Sequence, residues 1–141
     1  MSAWVIDASV AVKWFVPEAE SEAAKRYLHP DETLLAPELF LIEFASVTLK
    51  KVRLKEITAQ EAAALLAKLL RVRITLAPHS PLVETAARWA LAFGQGAYDC
   101  LYLALAATNR CRMVTADRRF YNAIKRTPLA AHIAWIAEAS Q

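Results

Sequence analysis

Short apolar stretches alternate along the chain with longer stretches in which apolar positions recur every three or four residues. The short stretches are typical of buried strands, and the longer periodic ones are typical of amphipathic helices. Strands are predicted at 3–6, 34–36, 72–76, 113–115 and 133–136. Helices are predicted at 8–14, 18–28, 37–52, 58–70, 82–93, 98–109 and 117–125.

Local signals support several of these bounds. Thr58 and Glu61 have the spacing of a capping box, Pro37 suits the first turn of a helix, and Gly94 is placed to end one. Strands that alternate with helices pair in parallel through right-handed crossovers. The sequence therefore predicts an α/β fold with a mostly parallel sheet.

Composition excludes several classes of protein. Apolar residues make up 57% of the chain, which suits one ordered domain spanning 1–141 rather than a disordered segment. No apolar run reaches the length of about 18 residues that a membrane span needs, and Asp7 interrupts the first apolar stretch, so no secretory signal is expected. Two glycines cannot build glycine-rich phosphate loops. Cys100 and Cys111 are too far apart for a disulfide if one helix carries both, so a reduced, cytoplasmic protein is expected.

Four carboxylates interrupt apolar surroundings. Glu43 lies within the most apolar part of helix 37–52. The others, Asp7, Asp99 and Asp117, fall near predicted helix starts, where an aspartate is also a preferred cap. Glu43 has no such capping role, and the alternatives for it are a misjudged helix phase or a buried pair with a basic residue. If all four converge, their repulsion requires a cation, and Mg²⁺ or Mn²⁺ suits such oxygen ligands.

Four motifs occur in a fixed order along the chain. They are 5–11 (VIDASVA), Glu43 within its apolar helix, 98–106 (YDCLYLALA) and 114–117 (VTAD). This ordered set resembles the PIN-domain ribonucleases, and particularly the VapC toxins of prokaryotic toxin–antitoxin pairs. The resemblance covers the chain from residue 3 to residue 136. It implies a three-layer α/β/α sandwich around a mostly parallel central sheet of about five strands.

The resemblance also implies a function and a site. It predicts a Mg²⁺- or Mn²⁺-dependent endoribonuclease that leaves a 5′-phosphate and a 3′-hydroxyl, forms a homodimer and is blocked by a small VapB-like antitoxin. Asp7, Asp99 and Asp117 are the first-choice metal ligands. Glu43 is expected to bind the metal directly or through water, or to act as the base that orients the attacking water. The family often places small hydroxyl residues beside the metal, and Ser9 and Thr115 match those positions, although turn or cap chemistry explains them equally well.

Basic residues are expected to rim an acidic site that takes RNA. The net charge of +3 is only a mild bias toward anionic partners. Arg118 and Arg119 directly follow Asp117, and Lys13 lies near the first strand, so these three are the candidate RNA-binding residues. Solvation on a helix surface is the alternative for each. The remaining basic clusters are interpreted as solvated faces; they lie at 50–55, 71–73 and 110–112.

Other functions remain open from the sequence. The same fold could serve an RNA-processing nuclease that is not a toxin, or a non-catalytic module that binds a protein partner. A phosphatase of the haloacid dehalogenase type is disfavoured, because Ser9 stands where that family needs a second aspartate. The three histidines lack zinc-ligand spacing, and no Gly-x-Ser-x-Gly turn supports a serine hydrolase.

Overall fold

Within residues 2–138, which the computed structural model describes, five strands form one sheet. Every neighbouring pair of strands is parallel. In chain order the strands are β1 (Ser2–Ile6), β2 (Glu32–Pro37), β3 (Thr75–Ala77), β4 (Arg112–Thr115) and β5 (Ile133–Trp135). In space the order is β3-β2-β1-β4-β5. The predicted parallel α/β sheet is confirmed.

Seven α-helices in the same range connect the strands. They are α1 (Ala8–Val12), α2 (Ser21–Lys25), α3 (Leu39–Arg53), α4 (Ala59–Leu69), α5 (Val83–Phe93), α6 (Ala97–Thr108) and α7 (Arg118–Ile124). Right-handed crossovers place α1–α4 on one face of the sheet and α5–α7 on the other, because the chain reverses its direction across the sheet after β3. None of the described helices has the length and apolar character to cross a bilayer.

The core lies on both faces of the central strands. Val5 and Ile6 of β1, and Met113 and Val114 of β4, are fully buried, as expected for strands covered by helices on both sides. In α6 all seven residues of Cys100–Ala106 are buried, since this helix packs on three strands and is itself covered by α5. The strands at the buried centre of the molecule, β1 and β4, are therefore the ones that directly precede Asp7 and Asp117.

Several predicted bounds are wrong in detail. Pro37 ends β2 instead of opening α3, because it pairs in register with Ala77 of β3, and the N–H of Glu38 donates to the Ala77 carbonyl at 2.9 Å. The strand predicted at 72–76 is shorter and later, at Thr75–Ala77 on the sheet edge.

The helix predicted at 18–28 begins later, at Ser21, and ends as the 3-10 turn Arg26–Leu28. The N–H of Glu18 donates to Ser21 Oγ, which itself donates to the Val16 carbonyl, so these residues form a turn. Helix α1 likewise ends at Val12 rather than residue 14.

The topology creates a crevice between β1 and β4. The chain leaves β1 toward β2 on one side, while β4 lies on the other side of β1. Connections that diverge in this way leave an opening at the carboxyl ends of the two strands, which is the usual ligand site of open parallel sheets. Asp7 follows β1 and Asp117 follows β4, so both lie at this opening.

Candidate active site

A cleft of about 520 Å³ opens at the carboxyl ends of β1 and β4, and all four carboxylates singled out in the sequence line it. We call it the acidic cleft. Its walls come from the residues after β1, the face of α3, the start of α6 and the residue after β4. Its lining includes Asp7, Ser9, Glu43, Ser46, Lys50, Arg53, Tyr98, Asp99 and Asp117.

Asp7 is the N-cap of α1 as well as a wall of the acidic cleft. Its Oδ1 accepts hydrogen bonds from the Ser9 N–H at 2.6 Å and from Ser9 Oγ at 2.8 Å. Burial raises the pKa of Asp7, the two bonds from Ser9 lower it, and the charge of Asp117 raises it again, with a net increase. Asp7 is therefore both a helix cap and a lining residue of the acidic cleft.

Asp117 repeats this arrangement after β4. It is the N-cap of α7, and its Oδ1 accepts the Phe120 N–H at 3.2 Å. The N–H of Asp117 donates to Oγ1 of Thr115, which is 1% exposed. Thr115 thus orients the turn that carries Asp117, and Ser9 orients Asp7 in the corresponding turn after β1.

Asp99 is not a cap. The N-cap of α6 is Gly96, and Asp99 is the third residue of the helix, in its first turn. Burial, followed by the charges of Asp7, Asp117 and Glu43, raises the pKa of Asp99 from 3.8 to about 7. The helix N-terminus favours a negative charge. Burial and carboxylate repulsion outweigh that effect here.

Glu43 faces the acidic cleft from α3, which settles the helix phase left open by the sequence. Tyr102 Oη donates to Glu43 Oε1 at 2.5 Å. Burial raises the pKa of Glu43, the hydrogen bond from Tyr102 lowers it, and the charge of Asp7 raises it, with a net increase. Burial and the hydrogen bond to Glu43 in turn raise the pKa of Tyr102. Tyr102 lies within the motif at 98–106, but its contact with Glu43 was not predicted from the sequence.

The donor set of the acidic cleft fits a hard divalent cation. Its acidic side chains offer carboxylate oxygens, and no histidine or cysteine among residues 2–138 lines the cleft. Between residues 2 and 138, no three His, Cys, Asp or Glu side chains form a group compact enough to hold an ion by themselves. Mg²⁺ usually keeps several waters and takes only one or two carboxylates directly, so a widely spaced set of acids suits it.

The three basic residues predicted to bind RNA, all of which the structure describes, are outside the lining of the acidic cleft. Lys13 pairs with Glu18 at 3.2 Å and lines a different cleft. The guanidinium of Arg118 lies over the Trp135 ring, 3.8 Å from its centroid. Arg119 is exposed and, like Arg118, does not line the acidic cleft.

Two basic residues that sequence reasoning assigned to a solvated face line the acidic cleft. They are Lys50 and Arg53 of α3. The spacing of Glu43, Ser46, Lys50 and Arg53 is three or four residues, which places all of them on one helix face. That spacing was the signal in the sequence that could have found them.

Residues 4–125 match the PIN domain family, and the chain therefore belongs to the PIN-domain family. Ribonuclease VapC3 of Pyrobaculum aerophilum is 32% identical to this chain over 117 residues, which cover 82% of this chain and 89% of that protein. The resemblance inferred from the ordered motifs is confirmed.

Two solved structures share the fold. VapC20 of Mycobacterium tuberculosis, described as a sarcin-ricin loop cleaving toxin, superposes with a TM-score of 0.65 at 18% identity, covering 85% of this chain and 94% of that one. VapBC2 of Rickettsia felis, bound to a promoter DNA fragment, gives 0.66 at 14% identity, covering 94% and 98%. At such identities these structures support the architecture alone.

Proposed function

We propose that this protein is an endoribonuclease toxin that hydrolyses RNA phosphodiester bonds with Mg²⁺ or Mn²⁺ and is neutralised by a cognate antitoxin. The observation that carries the proposal is the convergence of four carboxylates in one cleft at the carboxyl edge of the sheet. Membership of the PIN-domain family, and 32% identity to a protein named as a ribonuclease, support RNA as the substrate.

The carboxylates divide into two roles in this proposal. Asp7, Asp99 and Asp117 would hold the ion, in part through its bound waters, and Glu43 would bind it through water or act as a base. A bound Mg²⁺ or Mn²⁺ lowers the pKa of water and offsets negative charge on the phosphate. The hydrogen bonds from Ser9 keep the carboxylate of Asp7 in one orientation, which would fix the geometry that this carboxylate presents to the ion.

The reaction adds water across the phosphodiester. The water oxygen bonds to phosphorus, the bond between phosphorus and the 3′ oxygen breaks, and that oxygen takes up a proton. The products are a 5′-phosphate and a 3′-hydroxyl. In this proposal Glu43 accepts a proton from the attacking water. Its raised pKa, which is closer to neutral pH, and the hydrogen bond from Tyr102 that holds one of its oxygens support this role.

Cleavage of total RNA with Mg²⁺ or Mn²⁺ tests the nuclease. We expect Asp99→Asn to abolish cleavage while the protein remains folded. Asp31→Asn is the matched control, since Asp31 is exposed and does not line the acidic cleft. Cleavage by folded Asp99→Asn at the wild-type rate would reject the proposal, and would leave a non-catalytic binding module as the better interpretation.

The toxin role is tested separately from the chemistry. We expect expression to arrest growth, and co-expression of an antitoxin encoded beside this gene to restore it. An RNA-processing nuclease would cleave RNA in vitro without causing growth arrest.

A homodimer is also part of the proposal. Leu91 of α5, which is 87% exposed, is an apolar side chain that a dimer interface would cover. Measurement of the molecular mass in solution tests the dimer.

A further inference from the structure

The acidic cleft has a basic end that the proposed chemistry does not use. Lys50 and Arg53 line the cleft on the same face of α3 as Glu43. Seven residues at a rise of about 1.5 Å each place Lys50 roughly 10 Å from Glu43 along the helix. Negative and positive side chains therefore occupy successive parts of one cleft.

The two basic residues differ from their neighbour Lys51. The Nζ atom of Lys51 lies 2.9 Å from Glu18 and 3.3 Å from Glu56, and its side chain is only 15% exposed. Among the residues that the structure describes, Lys50 and Arg53 have no carboxylate within 4.0 Å. Lys51 is therefore held by the protein, whereas Lys50 and Arg53 keep their charges available to a ligand.

An exposed aromatic ring also lines the acidic cleft. Tyr98, next to Asp99 at the start of α6, is 65% exposed, although most large apolar and aromatic side chains of this protein are at least partly buried. Ile42 of α3 lines the same cleft and is equally exposed. A flat ring at such a place offers a stacking surface to an unpaired base, and this contact does not depend on base identity.

We propose that the acidic cleft binds single-stranded RNA along α3, with Lys50 and Arg53 contacting backbone phosphates beside the cleaved bond and Tyr98 stacking on a base. This inference rests on the proposed nuclease function and extends it to how the substrate is held. Lys50 and Arg53 supply the attraction for RNA that the carboxylates of the cleft oppose. A base can stack on Tyr98 only if it is not paired in a duplex, so a single strand is preferred.

Nucleic acid fits this cleft better than an acidic peptide does. Both ligands could pair with Lys50 and Arg53, but the peptide carboxylates would meet Asp7, Glu43 and Asp99 at the other end. RNA presents a phosphate at that end, and a divalent cation held by these carboxylates would offset its charge. RNA also supplies the bases that Tyr98 can contact.

The first experiment measures RNA binding without cleavage. A short labelled single-stranded RNA of mixed sequence is titrated with protein in EDTA over a range of salt concentrations. We expect Lys50→Ala/Arg53→Ala to weaken binding by about tenfold at low salt. Affinity decreases as salt rises, and we expect this dependence to become shallower in the variant. The slope of log affinity against log salt should decrease in magnitude by about 1.4, because each of two lost phosphate contacts on a single strand contributes about 0.7.

The matched control is Lys68→Ala/Arg71→Ala, which removes the same charge from exposed residues that do not line the acidic cleft. It should bind RNA within twofold of wild type. Unchanged affinity and slope in Lys50→Ala/Arg53→Ala, with a wild-type circular dichroism spectrum, would overturn the proposal. So would an equal loss in both double variants, or polyglutamate that competes as well as the RNA itself.

The second experiment tests the aromatic contact. Tyr98→Ala should weaken binding of the single strand by about fivefold or more, while Tyr98→Phe keeps the ring and should retain wild-type affinity. Affinity for a duplex RNA should not respond to Tyr98→Ala. Equal losses for Phe and Ala would contradict stacking. Because all of these measurements are made in EDTA, failure of the nuclease proposal would appear separately, as the absence of metal-dependent cleavage.

Discussion

Helix α3 contributes to two clusters of charged side chains. In one cluster opposite charges pair with each other, and in the other several negative charges lie together without ion pairs to any residue that the structure describes. In the first, which we call the paired cluster, Lys13 and Lys51 both contact Glu18, and Lys51 also contacts Glu56. Two cations thus meet two anions. The acidic cleft instead collects four carboxylates, and in the described part of the chain none of them has an ion pair.

The pKa values show the energetic consequence of this difference. Burial raises the pKa of Glu18, but the hydrogen bonds and charges of Lys51 and Lys13 together outweigh it and lower the pKa. Burial and three carboxylates act in the same direction on Asp99 and raise its pKa to about 7. The ion pairs of the paired cluster therefore stabilise the fold, whereas repulsion among the carboxylates of the acidic cleft opposes it. A set of charges that opposes folding is what a functional site leads one to expect.

The largest expected effect is on RNA cleavage, which a substitution in the acidic cleft should reduce and a substitution in the paired cluster should not. Glu43→Gln keeps the shape of the side chain and its contact with Tyr102 but removes the base. We expect metal-dependent RNA cleavage to fall by about 10²–10⁴-fold, the usual contribution of a positioned base. The measurement is the single-turnover rate with saturating Mn²⁺.

Glu18→Gln is the matched control for that variant, because it makes the same chemical change in the paired cluster. Its cleavage rate should lie within about twofold of wild type, since Glu18 does not line the acidic cleft. If both variants lose activity equally, the two clusters do not differ in function and the comparison fails.

The second effect is on stability, and its sign follows from Asp99. The folded-state pKa of about 7 exceeds the ordinary value of 3.8, so the folded protein binds the extra proton and loses stability as pH rises between these values. We expect Asp99→Asn to raise the free energy of unfolding at pH 8 by about 1–3 kcal/mol, with part of the effect screened by solvent. Urea unfolding at several pH values measures it.

Without metal, Asp99→Asn is expected to be more stable than the wild-type protein at pH 8, and divalent cations should reverse this order of stability. Millimolar Mg²⁺ or Mn²⁺ should raise the melting temperature of the wild-type protein at pH 8, because a ligand that binds only the folded state stabilises it. Asp99→Asn should gain less or nothing. A wild-type protein that is already more stable than Asp99→Asn at pH 8 without metal would show that the carboxylates do not repel one another as the pKa shift implies.

The sequence predicted the parts of this site that depend on strand ends. Asp7 and Asp117 directly follow apolar runs, and the carboxyl ends of parallel strands share one edge, so their approach follows from topology. The capping box of Thr58 and Glu61 is confirmed for the same kind of reason, since it depends only on local spacing. The helix that carries Glu43 was also predicted. Its start was predicted too early, because Pro37 belongs to the end of β2 and the helix begins at Leu39.

The contacts between distant side chains could not be predicted in this way. Tyr102 and Glu43 are 59 positions apart, and their hydrogen bond depends on how α6 and α3 pack. Lys13 pairs with Glu18 because the chain turns at residues that a periodic pattern assigned to a helix. The difference between Lys50 and Lys51, adjacent in sequence but in different clusters, depends on helix phase relative to the cleft.

A smaller effect is expected from the residue that holds Glu43. Tyr102→Phe removes the hydrogen bond that lowers the pKa of Glu43, so this pKa should rise further. The cleavage rate at neutral pH should fall by about tenfold, and the acidic limb of the pH–rate profile should move to higher pH. At alkaline pH much of the lost rate should return. A uniform loss across all pH values would instead indicate a misplaced Glu43.

The smallest effect is the stability contribution of the paired cluster, and its pH dependence is opposite to that of Asp99. The pKa of Glu18 is lowered from 4.5, so its ion pairs stabilise the protein at neutral pH and are lost as pH falls through the folded-state value. Glu18→Gln should lower the free energy of unfolding by about 1 kcal/mol at neutral pH, the upper range for partly exposed pairs. The difference between variant and wild type should shrink in acid and in high salt. A difference that is unaffected by acid and salt would mean that packing of the Glu18 side chain, rather than its charge, provides the stabilisation.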